Sequence, residues 1–127
     1  TEINSDDSRW RVCTKQQLAH AQCFEFTVPA NETSPARQEI DGFVVNWKGR
    51  FFAYQNSCPH TGVSLNWMPN QFFDLETRYL QCGLHGAMFE AETGLCVRGP
   101  CLAQSLPQLP LIIYEDALYI MLDKRLV

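Results

Sequence analysis

The 127-residue chain has little of what several large classes of protein require. It holds no apolar run near the ~20 residues of a membrane-spanning helix. No basic segment followed by an apolar one opens it, and it has no twin-arginine signal. The sequence therefore reads as soluble and cytoplasmic, with no membrane partner. No internal repeat, low-complexity tract or long amphipathic helical pattern is present. A G-x-G-x-x-G fingerprint is also missing, so no nucleotide cofactor is expected. Basic charge is scarce: ten Lys and Arg stand against fourteen Asp and Glu, a net charge of −4. That balance argues against a nucleic-acid partner and for a protein partner with a basic docking face. Histidine is scarcer still, with three residues in the whole chain.

Two of those three sit in matching boxes. Cys58-Pro59-His60 reads C-x-H, and Cys82-Gly83-Leu84-His85 reads C-x-x-H. Each box places one thiol and one imidazole in a short stretch. A site built this way can give both thiolates to one metal and both imidazoles to another. Thiolate suits sulfide-bridged iron and imidazole also suits iron. This is the ligand set of a [2Fe–2S] centre in which two His replace two Cys on one iron. Structural zinc is the rival, since Cys2His2 is also a zinc set, but zinc fingers group Cys with Cys and His with His. Pro59 restricts the backbone inside the first box, and Gly62 lets the chain turn after it. Gly83 and Gly86 bracket the second box, where backbone amides can approach sulfur. His20 has no box around it and reads as a surface residue.

A length of 127 residues suits one domain with a proper core. The apolar patterning predicts short strands throughout, at 10–13, 23–28, 42–47, 51–54, 79–81, 87–90, 95–98, 111–114 and 117–121. Residues 42–54 read as a hairpin turning at Lys48-Gly49-Arg50, and residues 111–121 as a second turning at Glu115-Asp116. One helical turn is predicted at 14–19, capped by Thr14. Residues 1–8 read as a frayed end and 29–37 as an exposed loop. Asn31-Glu32-Thr33 matches a glycosylation pattern by chance. Residues 105–110 read as an extended link. The fold class expected is all-β.

Six cysteines in a chain of this size would also suit a disulfide framework. Two of them lie in the boxes. Cys13, Cys23, Cys96 and Cys101 lie in or beside apolar strand-like segments and read as buried thiols. Cys96 and Cys101 are close enough in sequence to pair or to lie near the metal site.

With these residues in view, the chain resembles the Rieske-type ferredoxin family. The resemblance covers most of the chain. It implies the Rieske [2Fe–2S] fold: antiparallel sheets with a small cluster-binding subdomain, here about residues 57–101 of one domain spanning 1–127. It implies one [2Fe–2S] cluster per chain, with Cys58 and Cys82 on one iron and His60 and His85 on the other. Gly99-Pro100 matches the family's third loop, which packs over the cluster. Residues 66–74 are longer than in typical members. Within them, either Trp67, Met68 and Pro69 form an apolar patch beside the cluster, or Trp67 and Phe72 cover the core of the subdomain.

High-potential members carry an extra Cys in each ligand loop and hydroxyl side chains after the second. The matching positions here are Val63, Leu84, Ala87 and Phe89, which offer no disulfide and no hydroxyl. The chain therefore resembles the soluble, low-potential ferredoxins that feed oxygenases. The implied function is a one-electron carrier between a reductase and a terminal oxygenase, not an enzyme. His20 alone lies outside the boxes, so these residues cannot build the 2-His-1-carboxylate iron site of an oxygenase. Two alternatives stand: a small subunit of a multi-subunit reductase of the nitrite-reductase type, and a redox sensor.

Overall fold

A computed structural model describes residues 9–29, 39–57, 59, 65–66, 70–74, 76–82, 86–99 and 102–121. The predicted frayed end, the glycosylation pattern and most of the predicted 29–37 loop lie outside them. Among the described residues the chain is almost all sheet. The strands are β1 (Arg9–Thr14), β2 (Gln22–Val28), β3 (Ile40–Trp47), β4 (Arg50–Gln55), β5 (Leu80–Gln81), β6 (Met88–Phe89), β7 (Cys96–Arg98), β8 (Leu111–Tyr114) and β9 (Ala117–Met121). They form three antiparallel three-stranded sheets, ordered β1-β9-β8, β2-β3-β4 and β5-β6-β7. The expected helical turn is a 3-10 turn at Lys15–Gln17. The Gln17 side chain reaches back to accept the Thr14 N–H at 2.8 Å.

Local chemistry accounts for both long hairpins. Trp47 pairs with Arg50, so the first turn is Lys48-Gly49 alone and Arg50 already belongs to β4. Both turn residues have positive φ, 56° and 84°. Tyr114 pairs with Ala117 across Glu115 and Asp116, at φ 50° and 69°. Two-residue turns with two positive φ values match the right-handed twist of the strands they join.

The middle sheet is covered on both faces, which explains the unbroken apolar run in β3. Phe43 and Val45 face one cluster, with Cys23, Tyr54, Leu65, Phe72, Leu80, Cys82, Ala87, Phe89, Ala91 and Cys96. Val44 faces the other, with Cys13, Phe26, Val28, Ala53, Leu118 and Ile120. Alternation with period two sends neighbours to opposite faces, so a strand buried on both must be apolar at every position. The first cluster joins the middle sheet to β5-β6-β7, and the second joins it to β1-β9-β8. Tyr54 on β4 is fully buried and donates its hydroxyl to the Ala91 carbonyl at 2.8 Å, tying the small sheet to the middle one. Phe72 stacks on Phe43 at 3.9 Å between ring centroids. It belongs to the core, which supports the covering role for that residue; Trp67, Met68 and Pro69 lie outside the described residues.

The link at 105–110 is extended as expected, and it is also stitched to β4. Gln55 N–H donates to the Pro107 carbonyl and Leu109 N–H to the Ala53 carbonyl. No helix among the described residues is long and apolar enough to cross a membrane.

Candidate metal centre

The second box begins where β5 ends. Leu80 and Gln81 pair with Phe89 and Met88, so Cys82 follows the last ladder pair. It is fully buried in the cluster beneath the small sheet. Its backbone is held twice: Cys82 N–H donates to the Ala87 carbonyl at 2.8 Å, and Gly86 N–H donates to the Cys82 carbonyl at 2.8 Å. These bonds close a narrow strand-end corner across the residues between. Gly83, Leu84 and His85 lie outside the described residues.

Gly99 braces that corner from the third sequence segment. Its φ is +107°, and a Cβ there would stand 2.7 Å from Ala87 Cα. Only a residue without a side chain lets β7 lay its backbone against Ala87. Gly99 thus lies against Ala87, whose carbonyl accepts the Cys82 N–H; Pro100, the other residue matched to the family's third loop, lies outside the described residues.

The first box, with Cys58 and His60, lies outside the described residues apart from the half-buried Pro59. The described residues on either side of it are pinned to each other. Asn56, only 6% exposed, accepts the Leu65 N–H on Oδ1 at 2.7 Å and donates from Nδ2 to Asn66 Oδ1 at 2.9 Å. Its own N–H donates to the Asp41 carbonyl on β3 at 2.8 Å. A buried amide is tolerable only with such partners. Sequence reasoning missed this clasp, because a lone Asn two residues before a box carries no recognisable spacing.

The remaining described cysteines are packed in the core. Cys13, Cys23 and Cys96 are buried free thiols. Burial pushes the Cys13 thiol up from 9.0 to about 11, partly offset by Arg11. Burial also raises the Cys23 thiol strongly. Neither is disposed to ionise, as expected of thiols acting as small apolar residues. Cys96 shares the apolar cluster with Cys82 and lies 3.2 Å from the Arg98 carbonyl. Cys101 lies outside the described residues. His20 is exposed as expected: its Nδ1 accepts the Lys48 N–H at 2.9 Å, and its ring lies 5.0 Å from that of Trp47. It steadies the β3–β4 turn, away from the boxes in sequence.

The corner fits an iron–sulfur group by the chemistry of its donors. A buried Cys is delivered to the end of a strand beside Gly86, where among the described residues a Cβ would meet only Gln81 Nε2, at 3.9 Å, so the backbone there lies open. The sequence adds a second Cys and two His in matching boxes. The description that matches the chain is the Rieske [2Fe-2S] domain, over residues 8–114. The chain belongs to the Rieske [2Fe–2S] domain family.

Membership implies one [2Fe–2S] cluster. Among curated proteins, this Rieske chain is 32% identical over 97 residues to the cholesterol 7-desaturase of Caenorhabditis elegans, covering 76% of the chain and 20% of the relative. It spans a fifth or less of the length of the curated relatives it matches. Among solved structures, the ferredoxin of carbazole 1,9a-dioxygenase from Nocardioides aromaticivorans IC177 superposes with a TM-score of 0.66 at 21% identity, over 91% of this chain and 99% of that one. A chain from a complex of reduced oxygenase and oxidised ferredoxin of carbazole 1,9a-dioxygenase gives a TM-score of 0.66 at 18% identity, over 94% and 97%. At these identities the likeness establishes the Rieske fold.

Proposed function

We propose that this Rieske chain is a one-electron carrier that passes electrons from a reductase to a terminal oxygenase. Cys58 and Cys82 hold one iron as thiolates, and His60 and His85 hold the other as imidazoles. The carrying observation is the pair of mixed Cys/His boxes, the second opening at the buried strand-end Cys82. A bound [2Fe–2S] group supplies one-electron oxidation and reduction. The protein supplies the rest. Residues of about 57–101 act as the cluster-binding part of a single domain. Leu65, Phe72, Ala87 and Phe89 are buried and keep water from that side. The Cys82–Ala87 and Cys82–Gly86 bonds hold the thiol's backbone in place.

Ala87 and Phe89 are fully buried and carry no hydroxyl to stabilise added negative charge. With fewer hydrogen bonds the potential falls, to about −150 mV at the low end of the Rieske range. The net charge of −4 suits partners with basic docking faces. One structural neighbour comes from a complex of oxygenase and ferredoxin in carbazole 1,9a-dioxygenase, which supports the choice of partner.

A second reading is favoured by the cholesterol 7-desaturase match: the same domain serving inside a longer oxygenase. His20 is the only histidine outside the boxes in these residues. In that reading the 2-His-1-carboxylate iron site lies in sequence beyond them.

Metal analysis of anaerobically purified protein tests the proposal. Two irons and two acid-labile sulfides per chain are expected, with loss of both in Cys82→Ser and retention in Cys13→Ser. Stoichiometric zinc without visible absorption would refute the ligand set. A midpoint above about +100 mV at pH 7, well up the Rieske range, would refute the low-potential reading. Transfer from a flavin reductase to a separate oxygenase in a reconstituted mixture separates carrier from embedded domain: failure with every such pair rejects the first reading.

A further inference from the structure

The clasp at Asn56 does not end there. Asn66, whose Oδ1 accepts from Asn56, donates its own Nδ2 to Glu25 Oε1 on β2 at 3.0 Å. Glu25 Oε1 also accepts the Asn70 N–H at 3.3 Å, while the Glu25 N–H donates to Asn70 Oδ1 at 2.7 Å. Read from the far end, the chain is Leu65 N–H to Asn56, Asn56 to Asn66, and Asn66 to Glu25. Every donor points the same way, toward the one carboxylate at the end. Hydrogen bonds in such a series polarise one another, and a charged terminus strengthens the last link. The directions are not interchangeable. Turning the Asn56 amide over would set its NH2 against the Leu65 N–H and its oxygen against Asn66 Oδ1. Asn66 then has no consistent orientation that also serves Glu25.

Residues 57–64, which carry Cys58 and His60, lie between the two ends that Asn56 joins. Asn66 and Asn70 belong to the 66–74 stretch, the added material of this chain. On the reading of Cys58 and His60 as ligands, we propose that Glu25 is a positioning residue for the first ligand loop. It acts through Asn66 and Asn56, which carry the constraint from β2 to the residues on either side of the first box. It fixes the amide directions that hold those residues together.

The experiment has a metal-free arm and a loaded arm, on the full chain. In the metal-free arm, amide exchange at Leu65 is measured in wild type, Glu25→Ala, Glu25→Gln, Asn66→Ala and Thr27→Val. Thr27 lies on the same strand and bonds the Asp41 side chain at 3.0 Å; Asn56 is held by the Asp41 main-chain carbonyl instead, so Thr27→Val leaves that bond in place and serves as the control. Glu25→Ala and Asn66→Ala are expected to speed Leu65 exchange about tenfold, as for loss of a hydrogen bond to a charged group. Glu25→Gln keeps an oxygen in place of Oε1 but loses its charge, and is expected to fall between wild type and Glu25→Ala. In the loaded arm, iron release to a chelator follows the same order. The EPR g-values of reduced protein shift in Glu25→Ala and Asn66→Ala, less in Glu25→Gln, and not in Thr27→Val. Unchanged Leu65 exchange in Glu25→Ala, an equal rise in Thr27→Val, or a Gln variant as impaired as the Ala variant would overturn the proposal. If wild type binds no iron, the ligand reading fails, and the metal-free arm still decides whether Glu25 sets the loop's ends.

Discussion

Replacing Gly99 by alanine is expected to cost on the order of 3 kcal/mol of folding stability. Two terms contribute. At φ +107° an L-residue is strained, which costs roughly 1–3 kcal/mol. The new Cβ would also stand 2.7 Å from Ala87 Cα, 3.1 Å from Ala87 Cβ and 3.3 Å from Ala87 N. Two of those three atoms are backbone, so no rotamer change relieves the overlap, and overpacking of this kind costs roughly 1–3 kcal/mol. The reduced freedom of the unfolded chain returns about 0.4–1 kcal/mol. Gly49 provides the comparison. Its φ is +84°, but nothing lies within 4 Å of a Cβ built there. Gly49→Ala therefore carries strain without collision, and the difference between the two variants isolates the collision with Ala87. Urea titration followed by circular dichroism reads both. With a slope of about 1–3 kcal/mol per molar, the Gly99→Ala midpoint falls by roughly 1–2 M. Because Ala87 accepts the Cys82 N–H, iron occupancy should fall in Gly99→Ala and stay at the wild-type level in Gly49→Ala. Equal midpoints for the two variants would refute the argument that Gly99 is there to let β7 lie against Ala87.

Three further outcomes are expected. Tyr54→Phe removes the hydroxyl bond from the middle sheet to the Ala91 carbonyl, and should lower the urea midpoint by the equivalent of about 1 kcal/mol; an unchanged midpoint would show that the bond adds nothing. Cys23→Ser places a hydroxyl in an apolar cluster and should destabilise by about 1–3 kcal/mol while leaving the iron content intact; loss of iron with the fold intact would contradict the ligand set. Stability should also fall at alkaline pH. The Cys13 thiol titrates at about 11 in the folded chain against 9.0 ordinarily, so the unfolded chain releases that proton first. Its contribution is intact below pH 9 and lost between 9 and 11, by up to roughly 3 kcal/mol. Cys23 and Tyr54, both raised by burial, act in the same direction. A urea midpoint constant from pH 8 to 10.5, or a Cys13→Ala variant with an unaltered pH profile, would rule this out.

By itself the sequence determined the elements whose causes are local. The hairpins form at the turns read at Lys48-Gly49-Arg50 and Glu115-Asp116, the first one residue tighter than its spacing suggests. Alternating and β-branched runs place the strands to within a residue or two, because side-chain period and turn chemistry act over a few neighbours. The paired Cys/His boxes are legible as a pattern for the same reason: Cys and His two or three apart are read from a few neighbours. Tertiary structure alone decided what depends on residues far apart. Nothing in the spacing says that Val44 and Phe43 face different layers, or that β1 closes against β9 at the other end of the chain. The Glu25–Asn66–Asn56 series joins positions 25, 56 and 66 through single side-chain atoms. Gly99 meets Ala87 only once β6 and β7 are paired. Such contacts follow from strand register and sheet packing. These are global minima over many non-local pairings, and they leave no periodic trace in the residues that make them.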